Sequence, residues 1–201
     1  DVWADRAEPV EARIDVRRTL GERRSGPHLK HGAAPWRLDF DVTHARLSTP
    51  GGASWLTAMA AHELYHLMLI ETGWRATAPV PQASRVALEE VAASLYGHCA
   101  NLAAGEPALA DAAPAGPVNL PGLAAPASAP FDAREMNAAV QALRRGAAPR
   151  AVYFALNRTL FLRLSGGEGR IAPHGPAAEA MLDACRRVGG DPARVLPLLE
   201  P

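Results

Sequence analysis

Lysine is nearly missing from this chain. Lys30 is the only one in 201 residues, and arginine supplies the rest of the 21 basic side chains. They are matched by 21 acidic ones, for a formal net charge of zero. Without an excess of positive charge there is no electrostatic footprint for nucleic acid or for an anionic membrane surface. With alanine so abundant, the arginine usage reads as composition bias and not as an arginine code. Long uninterrupted apolar runs are also lacking, so no segment resembles a transmembrane helix. Cysteine is sparse: Cys99 and Cys185 are too few and too far apart for a disulfide framework, and one bridge or two buried thiols are both open. Neither has the C-x-x-C spacing of a metal knuckle. G-x-S-x-G, the phosphate-binding G-x-x-x-x-G-K-[ST], and a G-x-G-x-x-G opening a helix after a strand are all absent; "SGGEGR" at 165–170 lacks the lysine and the spacing. There is no signal peptide. A start at Asp1 without methionine is expected of a chain whose N-terminal piece was removed by a cell or a cloner, and is compatible with export to the periplasm or outside after loss of a signal.

What is present suffices for a core. Hydrophobic residues make up 48%, and the length suits one domain or a domain with a small annex. Residues 12–20 and 36–48 alternate with period two, most clearly Leu38, Phe40 and Val42 against Arg37, Asp39 and Asp41. Charge on one face suggests an open or edge strand. After the turn at 49–52, Ser54 is the expected N-cap of a helix that runs to Glu71 and stops at Gly73. Ser84 is the expected cap of a second helix, 85–103. The Ala/Pro/Gly-rich stretch 103–130 cannot be one regular element and is read as a loop or linker. The last third reads as helices: one capped by Asp132 and stopped by Gly146, one opening at Pro149, one at Pro176, and a short final turn. The expected fold is α+β, a small N-terminal antiparallel sheet followed by a mainly helical body. Its expected divisions are a core at 1–102, a loop at 103–130 and a helical part at 131–201 packing on the core.

The chemistry lies in "HELYH", His62 to His66. Histidines four apart on a helix share one face, one turn apart, within reach of one ion. Glu63 lies about 100° round from His62, beside the ion and not aimed at it. That suits a general base acting on a metal-activated water. Chance placement of H-E-x-x-H in this composition has a probability of roughly 1%. A catalytic zinc needs a third protein ligand and leaves its fourth position open. The metzincin extension is absent after His66. Glu89 and Glu90, 23 and 24 residues past His66, stand on the second helix, across a loop long enough to fold that helix back.

This arrangement resembles the gluzincin metallopeptidases, thermolysin-like in their metal core. The resemblance covers about residues 37–97 and rests on His62, Glu63, His66 and a glutamate on the later helix. It implies a zincin-like fold and a zinc site held by His62, His66 and Glu90. Glu89 is the alternative ligand. Glu90 is preferred because it puts Ala93 and Ser94 at the positions where the family has a small residue and an acid, and Leu95-Tyr96-Gly97 also fits. Ser94 replaces the family's aspartate, leaving Asp39, Asp41 or a backbone carbonyl to orient the imidazole. The resemblance also implies that the strand at 36–48 binds an extended peptide by strand addition, against the plainer reading of an ordinary amphipathic strand. It further implies an oxyanion-stabilising group from the C-terminal part. His174, in the loop 165–175, is the candidate; His98, Tyr65, Tyr96 and Tyr153 are others, more often packed than catalytic. His28, His31 and His44 read as surface residues. The expected function is a zinc-dependent metallopeptidase acting on peptide or protein, with Glu63 as base. The rivals are a zinc hydrolase of a non-peptide amide or ester, and a non-catalytic module with a structural metal site closed by Glu89 or His98.

Overall fold

A computed structural model describes residues 12–19, 28–30, 36–43, 52–110, 129–148 and 151–200, the first three segments as strands only. Three strands, β1 (Ala12–Thr19), β2 (His28–Lys30) and β3 (Trp36–Thr43), form one sheet in the order β1-β3-β2. The sheet is mixed, not antiparallel as expected. β1 runs parallel to β3, from Ala12 opposite Trp36 to Thr19 opposite Thr43, and only β2 is antiparallel. Parallel neighbours need a crossover of a dozen or more residues, and the chain between Thr19 and Trp36 is long enough to supply it. Alternation marked the strands but carried no information about their partners. The expected edge strand is therefore the central one: β1 covers β3 along one whole side, and β2 covers Arg37–Asp39 on the other. On that side Trp36 and residues 40–43 lie beyond the β2 pairing among the described residues.

The rest is helical, with α1 (Gly52–Glu71), the one-turn α2 (Trp74–Thr77), α3 (Gln82–Ala103), α4 (Ala133–Arg145), α5 (Val152–Leu164), α6 (Pro176–Val188), a 3-10 turn (Pro192–Val195) and α7 (Leu196–Leu199). Gly73, at φ 68°, ends α1 in the left-handed conformation that glycine adopts without a Cβ penalty. Asp132 caps α4 in a full capping box with Glu135, and Gly146 closes it. Pro176 opens α6 as expected. Two expected caps are displaced. Ser54 lies inside α1 and donates its hydroxyl to Glu106; Ser84 lies inside α3 and donates to the Leu143 carbonyl. Both serines serve packing between segments, which local sequence does not encode. Pro149 falls outside the described residues. The start of the Ala/Pro/Gly-rich stretch contains a strand, β4 (Ala108–Leu109), paired antiparallel with β5 (Arg170–Ile171). Residues 111–128 lie outside the described residues.

α3 is the axis of the helical body. Thirteen of its residues are buried, among them Leu88, Val91, Leu95 and Leu102, as befits a helix apolar nearly all round. α1 crosses it antiparallel: Ala58 lies opposite Gly97, His62 opposite Ser94, and His66 opposite Glu89 and Glu90. α5 runs parallel to α3, with Asn157 against Ser94 and Phe161 against His98. α6 is tied to α3 by a Cys99–Cys185 disulfide and by the Tyr96 hydroxyl, which donates to the Cys185 carbonyl at 3.0 Å. One hydrophobic cluster includes Met68 and Leu69 of α1, Leu88 of α3, Leu143 of α4, Leu156 of α5 and Met181 of α6, so the C-terminal helices pack on the core.

Candidate metal centre

The facing of α1 and α3 creates the site. His62 and His66 stand one turn apart on α1, and Glu90 meets them from α3. His62 Nε2 lies 3.0 Å from His66 Nε2; Glu90 Oε2 is 3.4 Å from the first and 3.8 Å from the second. Ligand atoms about 2.0–2.1 Å from a tetrahedral zinc lie about 3.3–3.4 Å apart, close to the observed edges. The three side chains are largely buried but retain 11–12% exposure.

The outer nitrogens are held as well. His66 Nδ1 lies 2.7 Å from Glu89 Oε1. Arg75 donates to the same carboxylate from Nη2 at 2.6 Å and from Nε at 2.9 Å. Burial works to raise the Glu89 carboxyl, but the hydrogen bonds from His66 and Arg75 outweigh it and hold it below the ordinary carboxylate range. An ionised carboxylate only accepts, so His66 Nδ1 donates to Glu89 and the ring presents Nε2 to His62 and Glu90. His62 Nδ1 lies 3.4 Å from Ser94 Oγ, which accepts from Asn157 Nδ2 at 2.8 Å. One histidine is thus backed by a charged pair and the other by a neutral one. Two imidazole nitrogens 3.0 Å apart need a proton or a cation between them. This donor set fits a divalent metal.

The first helix and both expected ligand sources therefore come together, with Glu90 in the ligand group. Glu89 holds His66 instead of joining that group. Neighbouring residues on a helix differ by about 100° in direction, so Glu89 and Glu90 reach different atoms. His98 is not a fourth ligand either: its ring packs edge-on against Phe161, centroids 4.8 Å apart. Glu63 is half-buried, and burial pushes its carboxyl up to about 7, with His62 opposing and Glu90 adding.

The other sequence candidates scatter. Tyr65 donates to the Gly189 carbonyl at 3.0 Å and stacks on Tyr96, so both phenols are committed to packing. His174 is exposed in the loop before α6. Gly189 meets Tyr65, Cys185 meets Leu95 and Met181 meets Cys99, so α6, about 20 Å long, runs antiparallel to α3 and its start, next to His174, lies along α3 away from the level of Glu90. His174 is not part of the group formed by His62, His66 and Glu90. Tyr153 is partly buried against the hydrophobic cluster with its ring 4.0 Å from that of Phe154; standing one turn before Asn157, it occupies the stretch of α5 at the level of Glu90. Asp39 and Asp41 stand on β3, where only strand pairing is described; His28 likewise stands on β2, and His31 and His44 lie outside the described residues. Arg75 and Asn157 were not foreseen. Nothing local marks either one, because each acts through a helix distant in sequence.

The described residues thus define an α+β protein, mostly helical, with a His-His-Glu group able to hold a metal ion. No described helix is long and apolar enough to cross a membrane. No protein-family model, curated protein or solved structure matches the chain.

Proposed function

We propose that the chain is a zinc-dependent hydrolase, a metallopeptidase with gluzincin-type ligation on a zincin-like core. The observation that carries this reading is the convergence of His62, His66 and Glu90 on one point, with Glu63 beside them. When bound, zinc would supply Lewis-acid polarisation of a carbonyl and acidification of water. Glu63 is the proton carrier: its carboxylate takes a proton from the attacking water and returns it to the leaving amine. Tyr153, at the level of Glu90, is the donor proposed for the substrate's carbonyl oxygen, in place of His174. Among the described residues the group has three donors, the number that leaves a position open for substrate. The Cys99–Cys185 bridge supports an oxidising compartment.

The test pairs two variants. Glu63→Gln retains zinc and loses peptide cleavage; Tyr153→Phe retains zinc and loses about 10²-fold in kcat. Cleavage by Glu63→Gln at the parent's rate sinks the mechanism. Hydrolysis of small amides or esters by the parent, with peptides left intact, transfers the proposal to a non-peptide substrate.

A further inference from the structure

The contact behind His66 leads outward to the surface and then to the far end of the chain. Glu89 is 2% exposed, and both its oxygens are engaged by Arg75 while Oε1 also receives His66. Arg75 is half-exposed, at 51% of its side chain. It stands on α2, directly after Gly73 turns the chain. That corner is pinned at its neighbour: Trp74 is buried, and its indole Nε1–H donates to Asp191 Oδ1 at 2.9 Å. Asp191 Oδ1 also accepts from the Ala193 amide at 3.0 Å, at the start of the 3-10 turn. From the other side Arg85 donates to the Arg75 carbonyl and, at 3.1 Å, to that of Val80.

We propose that Arg75 is a positioning residue of the metal centre, acting through Glu89 on His66 and held in place from the C-terminal turn by the Trp74–Asp191 contact. This rests on reading His62, His66 and Glu90 as a metal site. A buried carboxylate is stable only with partners that answer its charge. Arg75 answers it with two parallel donors in a fixed fork, which sets the carboxylate plane as well as its charge. That plane decides where Glu89 Oε1 stands, and Oε1 decides the rotation of the His66 ring, since a terminal imidazole torsion is otherwise broad. Without Arg75 the ring is free to turn Nε2 away from its two companions. Lysine restores a charge at this place but not the fork. The segment after α6 thereby has a part in the site, although it contributes no ligand.

The experiment compares the parent with Arg75→Ala, Arg75→Lys, Trp74→Phe and, as a control on another exposed ion pair, Arg187→Ala. Zinc affinity is measured by competition with a chromophoric chelator, and ligand geometry by the visible spectrum of the cobalt(II)-loaded protein. Thermal stability of the metal-free proteins is recorded alongside. Arg75→Ala is expected to lose about 10- to 100-fold in zinc affinity and to shift the cobalt spectrum. Arg75→Lys recovers part of the loss, Trp74→Phe shows a smaller loss in the same direction, and Arg187→Ala none. If Arg75→Ala binds zinc like the parent with an unchanged cobalt spectrum, the pair is only a tie between α2 and α3 and the proposal fails, whatever happens to stability. Should Arg75→Ala not fold, Arg75→Lys and Trp74→Phe decide by the same readings, and parent-like affinity in both overturns it. A parent that binds no zinc overturns this inference and the proposed function together; a parent that binds it while the variants match overturns this inference alone.

Discussion

Gly97→Ala tests how closely α1 and α3, the helices that carry His62, His66 and Glu90, must approach. A methyl group there would stand 2.7 Å from the Ala58 carbonyl oxygen, 3.3 Å from its carbon and 3.4 Å from its Cα. All three atoms are α1 backbone, so no side-chain rotation relieves the contact. Restoring 3.4 Å from 2.7 Å means parting the helices locally by roughly 0.7 Å. Propensity alone favours alanine in a helix by about 1 kcal/mol. Overpacking of this kind costs about 1–3 kcal/mol, so the net expectation is a loss of up to about 2 kcal/mol. For a chain of this size that lowers Tm by up to about 4–8 °C. The site suffers more than the fold, because its ligands come from both helices and tolerate about 0.5 Å of displacement. His62 and Ser94 lie one turn from Ala58 and Gly97. Zinc affinity is therefore expected to fall by about tenfold or more, read by chelator competition beside a thermal melt of the metal-free protein. A variant that melts above the parent and binds zinc equally would refute the close-approach argument.

Two other perturbations follow from the same packing. Cutting the Cys99–Cys185 bridge by a double alanine substitution opens a loop of sequence separation 86, worth about 4–5 kcal/mol in chain entropy; denaturant unfolding should lose several kcal/mol, and unchanged stability would contradict the role given to the bridge. Burial, with His62 adding, pushes the His98 imidazole down to about 4 from 6.5. The folded state then binds fewer protons than the unfolded one between those values. Stability of the chelator-treated protein is full above about pH 6.5 and falls by on the order of 2–3 kcal/mol as pH drops toward 4. His98→Gln should flatten that slope, and an equally steep slope in the variant would assign it elsewhere.

Short-range signals carried the helices and the ligand spacing. H-E-x-x-H at helical period placed His62 and His66 together, and Gly73, Asp132, Gly146 and Pro176 marked helix ends through their own backbone chemistry. What the sequence concealed depends on partners far away in the chain. Ser54 and Ser84 look like caps but bond to Glu106 and Leu143; the period-two strands do not announce whether they pair parallel or antiparallel. Glu89 next to Glu90 was ambiguous because only the crossing of α1 over α3 decides which carboxylate meets Nε2 and which meets Nδ1. His174 drew notice by its loop, whereas the direction of α6 along α3 sets it away from the level of Glu90.

Zinc content decides the central claim most directly. The parent, Glu90→Ala and Glu89→Ala proteins, each equilibrated with zinc and desalted, are measured by elemental mass spectrometry per chain. The account predicts one zinc in the parent, none retained in Glu90→Ala, and an intermediate, weakened content in Glu89→Ala. A parent without zinc would make the histidine pair a structural feature, and a Glu89→Ala protein emptier than Glu90→Ala would reverse the roles of the two carboxylates.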